Sequence, residues 1–241
     1  MSFHVDSMAL RLGSRTYSVT SVALKVSLGL LMIDAIVEVS FVSSSLTWLH
    51  DKAARKLLHF AAYGSKHRLP MLPRHLIIEH LRTANGAAGT AFALVGVGGI
   101  LALMLRNWAQ YRTGRLPRFC RYFYYIWLSC NMPALLLTGA TIIYVFALTN
   151  GHASQRIYVL EAVNLNGRPY DLSNWTPDGW FSAVLRLKLL RDRMEIEKQL
   201  TVMRGWLYNL PIMFLFQSGV TVLGYMDYNR WVMKPRLPEG F

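Results

Sequence analysis

Four stretches of this 241-residue chain are apolar and long enough to cross a lipid bilayer. A hydrocarbon core about 30 Å thick needs roughly 20 mainly apolar residues in a helix, and only helices or closed barrels satisfy the backbone hydrogen bonds there. We therefore predict an all-α membrane protein, a four-transmembrane-helix bundle forming one membrane domain over residues 1–241. The predicted spans are residues 22–42, 86–105, 122–149 and 206–226.

The segments between these spans differ in size and in charge. The predicted extramembrane loops are residues 43–85, 106–121 and 150–205, and chain order places the two larger loops on one side of the membrane. Cytosolic loops are enriched in lysine and arginine, so the acid-free second loop and both termini are predicted to be cytosolic. The bases of that loop are Arg106, Arg112, Arg115, Arg118 and Arg121.

Composition supports the membrane class and restricts the partners. With 53% hydrophobic and 16% charged residues, the chain is too apolar for an ordinary soluble domain. The net charge of +13 would suit nucleic acid, but the bases lie beside the spans, where lysine and arginine bind anionic lipids. Membrane lipids are thus the expected partners, with protein partners or a homo-oligomer as further candidates and no nucleic acid. The membrane is an endomembrane or the plasma membrane.

The first span contains two acids, Asp34 and Glu38, which share one helical face because they are four residues apart. Ionisable residues within a span are costly and mark ion paths, proton relays or subunit contacts. Together with Asn131 and Gln217 they form a candidate intramembrane polar site. In the structural alternative, the carboxyl groups hydrogen-bond to Asn131, Asn209 or Gln217, or Glu38 reaches the headgroups.

Two prolines within the spans raise the same choice between structure and transport. Pro133 and Pro211 each remove a helical hydrogen bond, so we predict kinked or broken helices. Two broken helices facing each other would line a polar path, as in transporters. The alternative is a closed bundle in which the polar side chains only bond to each other.

The first and third loops contain predicted secondary structure. Residues 48–61 show the two-faced pattern of a helix lying on a membrane surface. In the third loop, residues 157–163 favour a strand by their β-branched and aromatic content. Residues 176–204 are predicted to form one helix, because Thr176 is a good N-cap and proline follows it.

The start of that helix contains the candidate surface residues of the third loop. Trp175, Trp180 and Phe181 are predicted to anchor it at the membrane interface and to form a partner-binding or interface surface. The sequence Asn174-Trp175-Thr176 is an N-glycosylation sequon. Asn174 is therefore a candidate glycosylation site of a lumenal loop.

A short motif in this loop resembles a known group of proteins. The segment Trp175-Thr176-Pro177-Asp178-Gly179-Trp180, followed by a charged helix and a final span, is similar to that of uncharacterised fungal four-span integral membrane proteins. The resemblance covers roughly the last third of the chain, and the group brings no established activity. Some of its members are encoded beside secondary-metabolite enzymes, which implies a pathway-accessory role.

Motifs of the common enzyme classes are absent from the sequence. There is no Gly-x-Ser-x-Gly elbow, Walker loop or His-Glu-x-x-His sequence, so we expect no catalytic, cofactor-binding or metal-binding residues. The predicted function is a non-catalytic scaffold or pathway-accessory role at a membrane. One alternative is a small transporter or channel subunit using Asp34 and Glu38, and another is an intramembrane enzyme of a secondary-metabolite pathway.

Overall fold

The computed structural model describes residues 2–110, 112, 114–165 and 167–232, with side chains from Val19 onward. Most of these residues are helical, but two strands form an antiparallel hairpin, so the all-α prediction is only partly confirmed. The helices are α1 (Ser2–Asp51), α2 (Glu79–Thr90), α3 (Gly98–Ala109), α4 (Arg115–His152), α5 (Val159–Asn164), α6 (Pro177–Val184) and α7 (Arg193–Val232). The strands are β1 (Leu57–Ala62) and β2 (Ser65–Pro70), a 3-10 turn covers Ala53–Arg55, and a π-helical segment, Ala91–Val97, joins α2 to α3.

Three helices in the described part of the chain are long and apolar enough to cross a membrane. They are Glu79–Ala109, Arg115–His152 and Arg193–Val232, and each contains one predicted span and extends beyond it at both ends. The remaining predicted span, residues 22–42, is the first along the chain and lies within α1. This helix is not one of the three. Pro133 and Pro211 lie inside α4 and α7 without ending them, so the alternative of two broken helices is wrong, while a kink at the prolines stays a prediction.

The chain divides into two compact units, which share the helices α1, α4 and α7. Unit 1 consists of Met1–Ala35, Gly89–Leu136 and Met213–Phe241. Unit 2 consists of Ile36–Ala88 and Leu137–Ile212. The terminal residues 1 and 233–241 lie outside the described part of the chain, as does any prediction about them.

In unit 1, glycine allows the helices to approach closely. A Cβ atom added at Gly99 would lie 2.8 Å from side-chain atoms of both Leu28 and Trp127, so only glycine fits. The Trp127 indole also donates a hydrogen bond to the carbonyl of Val95, at 3.1 Å, within the π-helical segment. Small residues in this helix therefore serve packing, which is their usual role between apolar helices.

In unit 2, part of the first loop forms a hairpin where an amphipathic helix over residues 48–61 was expected. The Tyr63-Gly64 turn has positive φ at both residues, 50° and 78°, as in the two-residue turns that match the twist of paired strands. Leu58 and Phe60 are fully buried, while their neighbours in β1 are partly exposed. This alternation with period two is that of a half-buried strand.

Residues 188–190 of the third loop pair with the other edge of β1. The Ala61 N–H donates to the Lys188 carbonyl at 2.9 Å, and the Leu190 N–H donates to the His59 carbonyl at 2.8 Å. Both loops thus contribute to one small sheet. Without residues 188–190, this edge of β1 would present unpaired backbone N–H and C=O groups.

The predicted helix over residues 176–204 is therefore divided into α6 and α7. Its start is as expected: the Thr176 hydroxyl accepts a hydrogen bond from the Gly179 N–H at 3.3 Å, and proline occupies the first helical position. The helix ends before residues 188–190, which join the sheet. Asp192 then adopts a left-handed backbone conformation, φ 63°, immediately before α7.

Residues 157–163 were predicted to form a strand, but most of them form the short helix α5. The prediction of a strand is therefore wrong. The N–H of Tyr158, which precedes this helix, donates to the Tyr170 hydroxyl at 3.1 Å. Ala162 is the buried residue of the helix. Burial raises the pKa of the Tyr170 hydroxyl above its ordinary value, so this donor–acceptor pair stays neutral over the physiological pH range.

A charged cluster fixes the start of α7 against the end of α1. The Lys56 ammonium group lies 2.6 Å from a Glu195 carboxylate oxygen and 3.3 Å from Asp192. The Trp48 indole donates to the other Glu195 oxygen at 3.2 Å. The hydrogen bond to Glu195 holds the pKa of Lys56 above its ordinary value. The folded state therefore favours the charged form of Lys56, and this contribution is lost as the pH rises through the pKa of Lys56 in the folded protein.

Aromatic side chains form the core that joins the two loops. Trp175 and Trp180 are 1% and 0% exposed, and their ring centroids lie 5.1 Å apart. Tyr170 lies 5.6 Å from Trp180, whose indole donates to the Met71 carbonyl at 2.7 Å. Phe181 is also fully buried. The prediction that Trp175, Trp180 and Phe181 form a surface is wrong, because their rings pack against the first loop and each other.

Replacing Trp180 should loosen both loops together. We expect Trp180→Ala to destabilise the protein by about 3–5 kcal/mol, since a large buried ring is removed, and Trp180→Phe to cost about 1 kcal/mol from the lost hydrogen bond. The measurement is thermal unfolding of the full chain in detergent, with limited proteolysis of both loops. Trp108→Ala is the matched control, because Trp108 is 40% exposed. Equal melting temperatures for the two alanine variants would contradict the prediction.

Candidate functional site

Two deeply buried side chains of opposite charge form an ion pair in unit 1. An Arg106 guanidinium N–H donates to the Asp227 carboxylate, and the two side chains are 2% and 0% exposed. Arg106 lies in the last turn of α3, and Asp227 lies in α7. The prediction that Arg106 lies in an exposed loop is wrong, because the residue is buried in α3 and pairs with an acid of α7.

Aromatic rings surround this pair. The Tyr124 hydroxyl donates to the same Asp227 oxygen at 3.3 Å. The Arg106 guanidinium lies over the Tyr124 ring, 4.6 Å from its centroid, and 5.9 Å from the Trp231 ring. We call these four residues the Arg106 cluster. A buried ion pair needs additional favourable contacts to offset its desolvation. Here the Tyr124 hydroxyl contributes a hydrogen bond, and the ring faces attract the guanidinium group.

One acceptor of the cluster has no donor. The second Asp227 oxygen, Oδ1, is buried and accepts no hydrogen bond from the described residues. Such an oxygen can accept a hydrogen bond from a water molecule or take up a proton. The cluster is therefore the place in unit 1 with the clearest capacity to bind water or a proton. Its main effect is to hold α3, α4 and α7 together.

The predicted polar residues are divided between the two units. Glu38 is fully buried in unit 2, where the side-chain amide of Asn209 donates to its Oε2 at 3.0 Å. Asp34 is partly exposed in unit 1, and Asn131 and Gln217 are both fully buried there. The bond between Glu38 and Asn209 is one that the structural alternative predicted.

Asn131 is unusual among these residues. Neither atom of its side-chain amide has a hydrogen-bond partner within the described chain, although the residue is fully buried. Leaving a buried amide unsatisfied costs about 1–3 kcal/mol. An Asn131 amide without a partner therefore lowers the stability of the fold.

The sequon lies at the surface of the third loop. Asn174 is exposed, but Trp175 and Thr176 are buried, and the Thr176 hydroxyl caps α6. An oligosaccharide could be attached to the exposed asparagine only while the threonine hydroxyl is accessible, before α6 packs. Glycosylation of Asn174 stays a prediction.

The described residues include no group of three histidine, cysteine, aspartate or glutamate side chains that could hold a metal ion. Cys120 and Cys130 are both free thiols.

Sequence reasoning missed the Arg106 cluster because it ended the spans too early. The apolar runs were taken to stop at residues 105 and 226, just before Arg106 and Asp227. The helices continue to Ala109 and Val232. The tryptophans Trp108 and Trp231 were a usable signal, since tryptophan is enriched at the ends of membrane spans.

No protein-family model, curated protein or solved structure matches this chain. The similarity to fungal four-span membrane proteins stays a prediction that rests on the segment from Trp175 to Trp180. What the protein does has to be inferred from its own residues.

Breaking the buried ion pair should cost more than removing it entirely. We expect Arg106→Leu or Asp227→Leu alone to destabilise the protein by about 3–5 kcal/mol, because each leaves an uncompensated buried charge. The double variant should recover most of this loss. Thermal unfolding of the three variants in detergent gives the coupling, with Arg112→Leu as the exposed control. A double variant whose loss equals the sum of the single losses would show that the two side chains do not interact.

Proposed function

We propose that the chain is a four-span integral membrane protein with a non-catalytic scaffold or pathway-accessory role. The observation that carries the proposal is the folded part of unit 2 outside the long apolar helices. Two loops distant in sequence share an aromatic core around Trp180 and a sheet that includes residues 188–190. Such a part presents a rigid surface, which is what a scaffold needs and what simple connections between spans do not provide.

The apolar surfaces of the helices support the membrane location. Leu136 in α4 and Leu215 in α7 are each 69% exposed, and Ile143 is 73% exposed. Large exposed apolar surfaces are rare in soluble monomers. These side chains would lie against lipid tails.

α1 supports a fourth span for the same reason. Its exposed aliphatic side chains recur every three or four residues and so form one stripe along the helix. The stripe runs past Asp34, and residues on the other side of the helix are buried. Contact with lipid would explain why the stripe is apolar and exposed, and contact with other parts of the protein explains why the other side of the helix is buried. The stripe consists of Val19, Val22, Val26, Leu30, Ile33 and Val37.

The buried polar pairs also support a structural role for the helices. Arg106 bonds to Asp227, and Glu38 bonds to Asn209. Polar groups that satisfy each other between helices stabilise and align them. A conduction path would instead offer its polar groups to an ion.

Transport is the second candidate, because two observations favour it. Asp34 and Glu38 place carboxyl groups within a long helix, and Asn131 keeps an unsatisfied amide in the interior. Intramembrane ionisable residues often belong to ion or proton pathways.

The number of spans can be tested through the position of the N-terminus. Four spans place an N-terminal tag on the side of the membrane opposite the hairpin, whereas three spans place them on the same side. We expect the tag and Leu116→Cys to be accessible from one side of sealed microsomes, and Tyr63→Cys only from the other. The two introduced cysteines replace side chains that are 62% and 74% exposed, in a chain with Cys120 and Cys130 changed to serine. Accessibility of the tag and Tyr63→Cys from the same side would exclude a fourth span.

A pair of measurements separates the scaffold from the transporter. In proteoliposomes under an imposed proton or cation gradient, we expect the wild-type chain and the Asp34→Asn/Glu38→Gln variant to leak equally, because the carboxyl groups are structural. In native membranes, a photo-crosslinking residue at Tyr63 should give discrete protein adducts. The same residue at the exposed Leu136 should give lipid adducts.

The transporter makes the opposite prediction for the first measurement. A gradient-dependent flux that the double variant abolishes would overturn the scaffold proposal. The absence of discrete adducts at Tyr63 would remove the evidence for a partner at the hairpin.

A further inference from the structure

The small sheet of unit 2 has one buried and one exposed face, and the strand register assigns each residue to a face. In the hairpin, Phe60 lies opposite His67, and His59 lies opposite Arg68. On the other edge, Phe60 lies opposite Leu189. Residues directly opposite each other in neighbouring strands share a face, so the face without Phe60 is the exposed one. We call it the basic face; it consists of Leu57, His59, Ala61, Lys66, Arg68, Pro70, Lys188 and Leu190.

The basic face collects positive charge without any acid. Lys66, Arg68 and Lys188 are all exposed. Neighbouring strands are about 4.8 Å apart, and alternate residues of a strand are about 6.7 Å apart. Lys66 therefore lies about 10 Å from Lys188, across Ala61, and about 7 Å from Arg68. Like charges at this spacing repel each other, so the arrangement is suited to an anionic partner.

Apolar side chains lie among these bases. Leu57 and Leu190 are each 43% exposed on the same face. Interleaved cationic and aliphatic side chains are typical of surfaces that bind the headgroup region of a bilayer. An acidic protein would match the charges but leave the two leucines without a counterpart.

The position in the chain also favours a bilayer. The basic face begins six residues after the end of α1, and Lys188 precedes the start of α7 by five residues. A face tethered to a chain that is embedded in a membrane meets headgroups at a higher effective concentration than free anions.

We propose that the basic face binds the headgroups of anionic phospholipids in a bilayer, through Lys66, Arg68 and Lys188. The inference goes beyond the proposed scaffold role, because it would hold equally for a transporter with the same sheet. It requires only that the chain be embedded in a membrane.

The first test compares the full chain in nanodiscs of phosphatidylcholine alone and of phosphatidylcholine mixed with phosphatidylserine. Each base near an anionic surface contributes about 1 kcal/mol, which corresponds to roughly fivefold. We expect acetylation of Lys66 and Lys188 to be at least about fivefold slower in the anionic discs at low salt. Acetylation of Lys52 and Lys198, which are exposed outside the sheet, should be slowed less than that of Lys66 and Lys188. High salt should remove the difference by screening. Nanodiscs present both leaflets, so the result does not depend on orientation in the cell.

The second test measures binding of short-chain phosphatidylserine to the detergent-solubilised full chain. Lys66→Gln/Arg68→Gln/Lys188→Gln should weaken binding about a hundredfold, since three bases are lost. The control variant Lys52→Gln/Arg168→Gln/Lys198→Gln removes the same charge from exposed positions outside the face. Should the first variant fail to fold, Lys66→Gln and Lys188→Gln alone should each weaken binding about fivefold.

Three outcomes would overturn the proposal. They are equal acetylation rates in the two kinds of disc, equal weakening by the two triple variants, and base-dependent binding to a polyglutamate peptide without binding to phosphatidylserine. The last would assign the face to an acidic protein. Competition by inorganic phosphate as strong as that by phosphatidylserine would also count against it, because a free anion would then suffice.

Discussion

The burial of Trp180, whose indole donates a hydrogen bond to the Met71 carbonyl, is the interaction on which the folded part of unit 2 depends. The hydrogen bond joins residues 109 positions apart in sequence and places α6 against the first loop. Once α6 lies there, the chain that follows it reaches the edge of β1, and residues 188–190 complete the sheet. The motif that looked like a set of surface tryptophans is therefore the core of the extramembrane structure. Its rings are buried against each other and against the first loop, where the Trp180 indole reaches the Met71 carbonyl and the Trp48 ring lies 5.1 Å from that of Phe181.

The two units use the same physical means to align their helices. Each contains a buried polar contact between distant segments: Arg106 with Asp227, and Glu38 with Asn209. Breaking such contacts is costly, because the remaining group cannot be solvated. They therefore specify which helix faces meet, where apolar side chains alone would allow several arrangements. Asn131 has no such contact in the described chain, which sets it apart from the other buried polar residues.

Charge has a different role at the surface. The structure removes Arg106 from the exposed bases of the second loop and gathers Lys66, Arg68 and Lys188 on a sheet in the other two loops. Cationic segments on both sides of the spans weaken any orientation read from arginine counts. The basic face has a use of its own if anionic lipid lies beside it. A scaffold with such a face would be held at a defined depth and angle relative to the membrane.

The sequence by itself determined the features that depend on local composition. The three long apolar helices follow from counting residues against the thickness of a bilayer, and the cap at Thr176 follows from the residues next to it. Residues 48–61 could not be assigned in this way, because a short apolar run fits both a helical and a strand period. The strand was favoured over a helix because residues 188–190 pair with its edge. The burial of Trp180 and the pairing of Arg106 with Asp227 were likewise decided by distant segments. An amphipathic pattern specifies that one face of an element is to be covered. Only the tertiary structure decides what covers that face, because the answer depends on which distant groups can approach within hydrogen-bonding and packing distance.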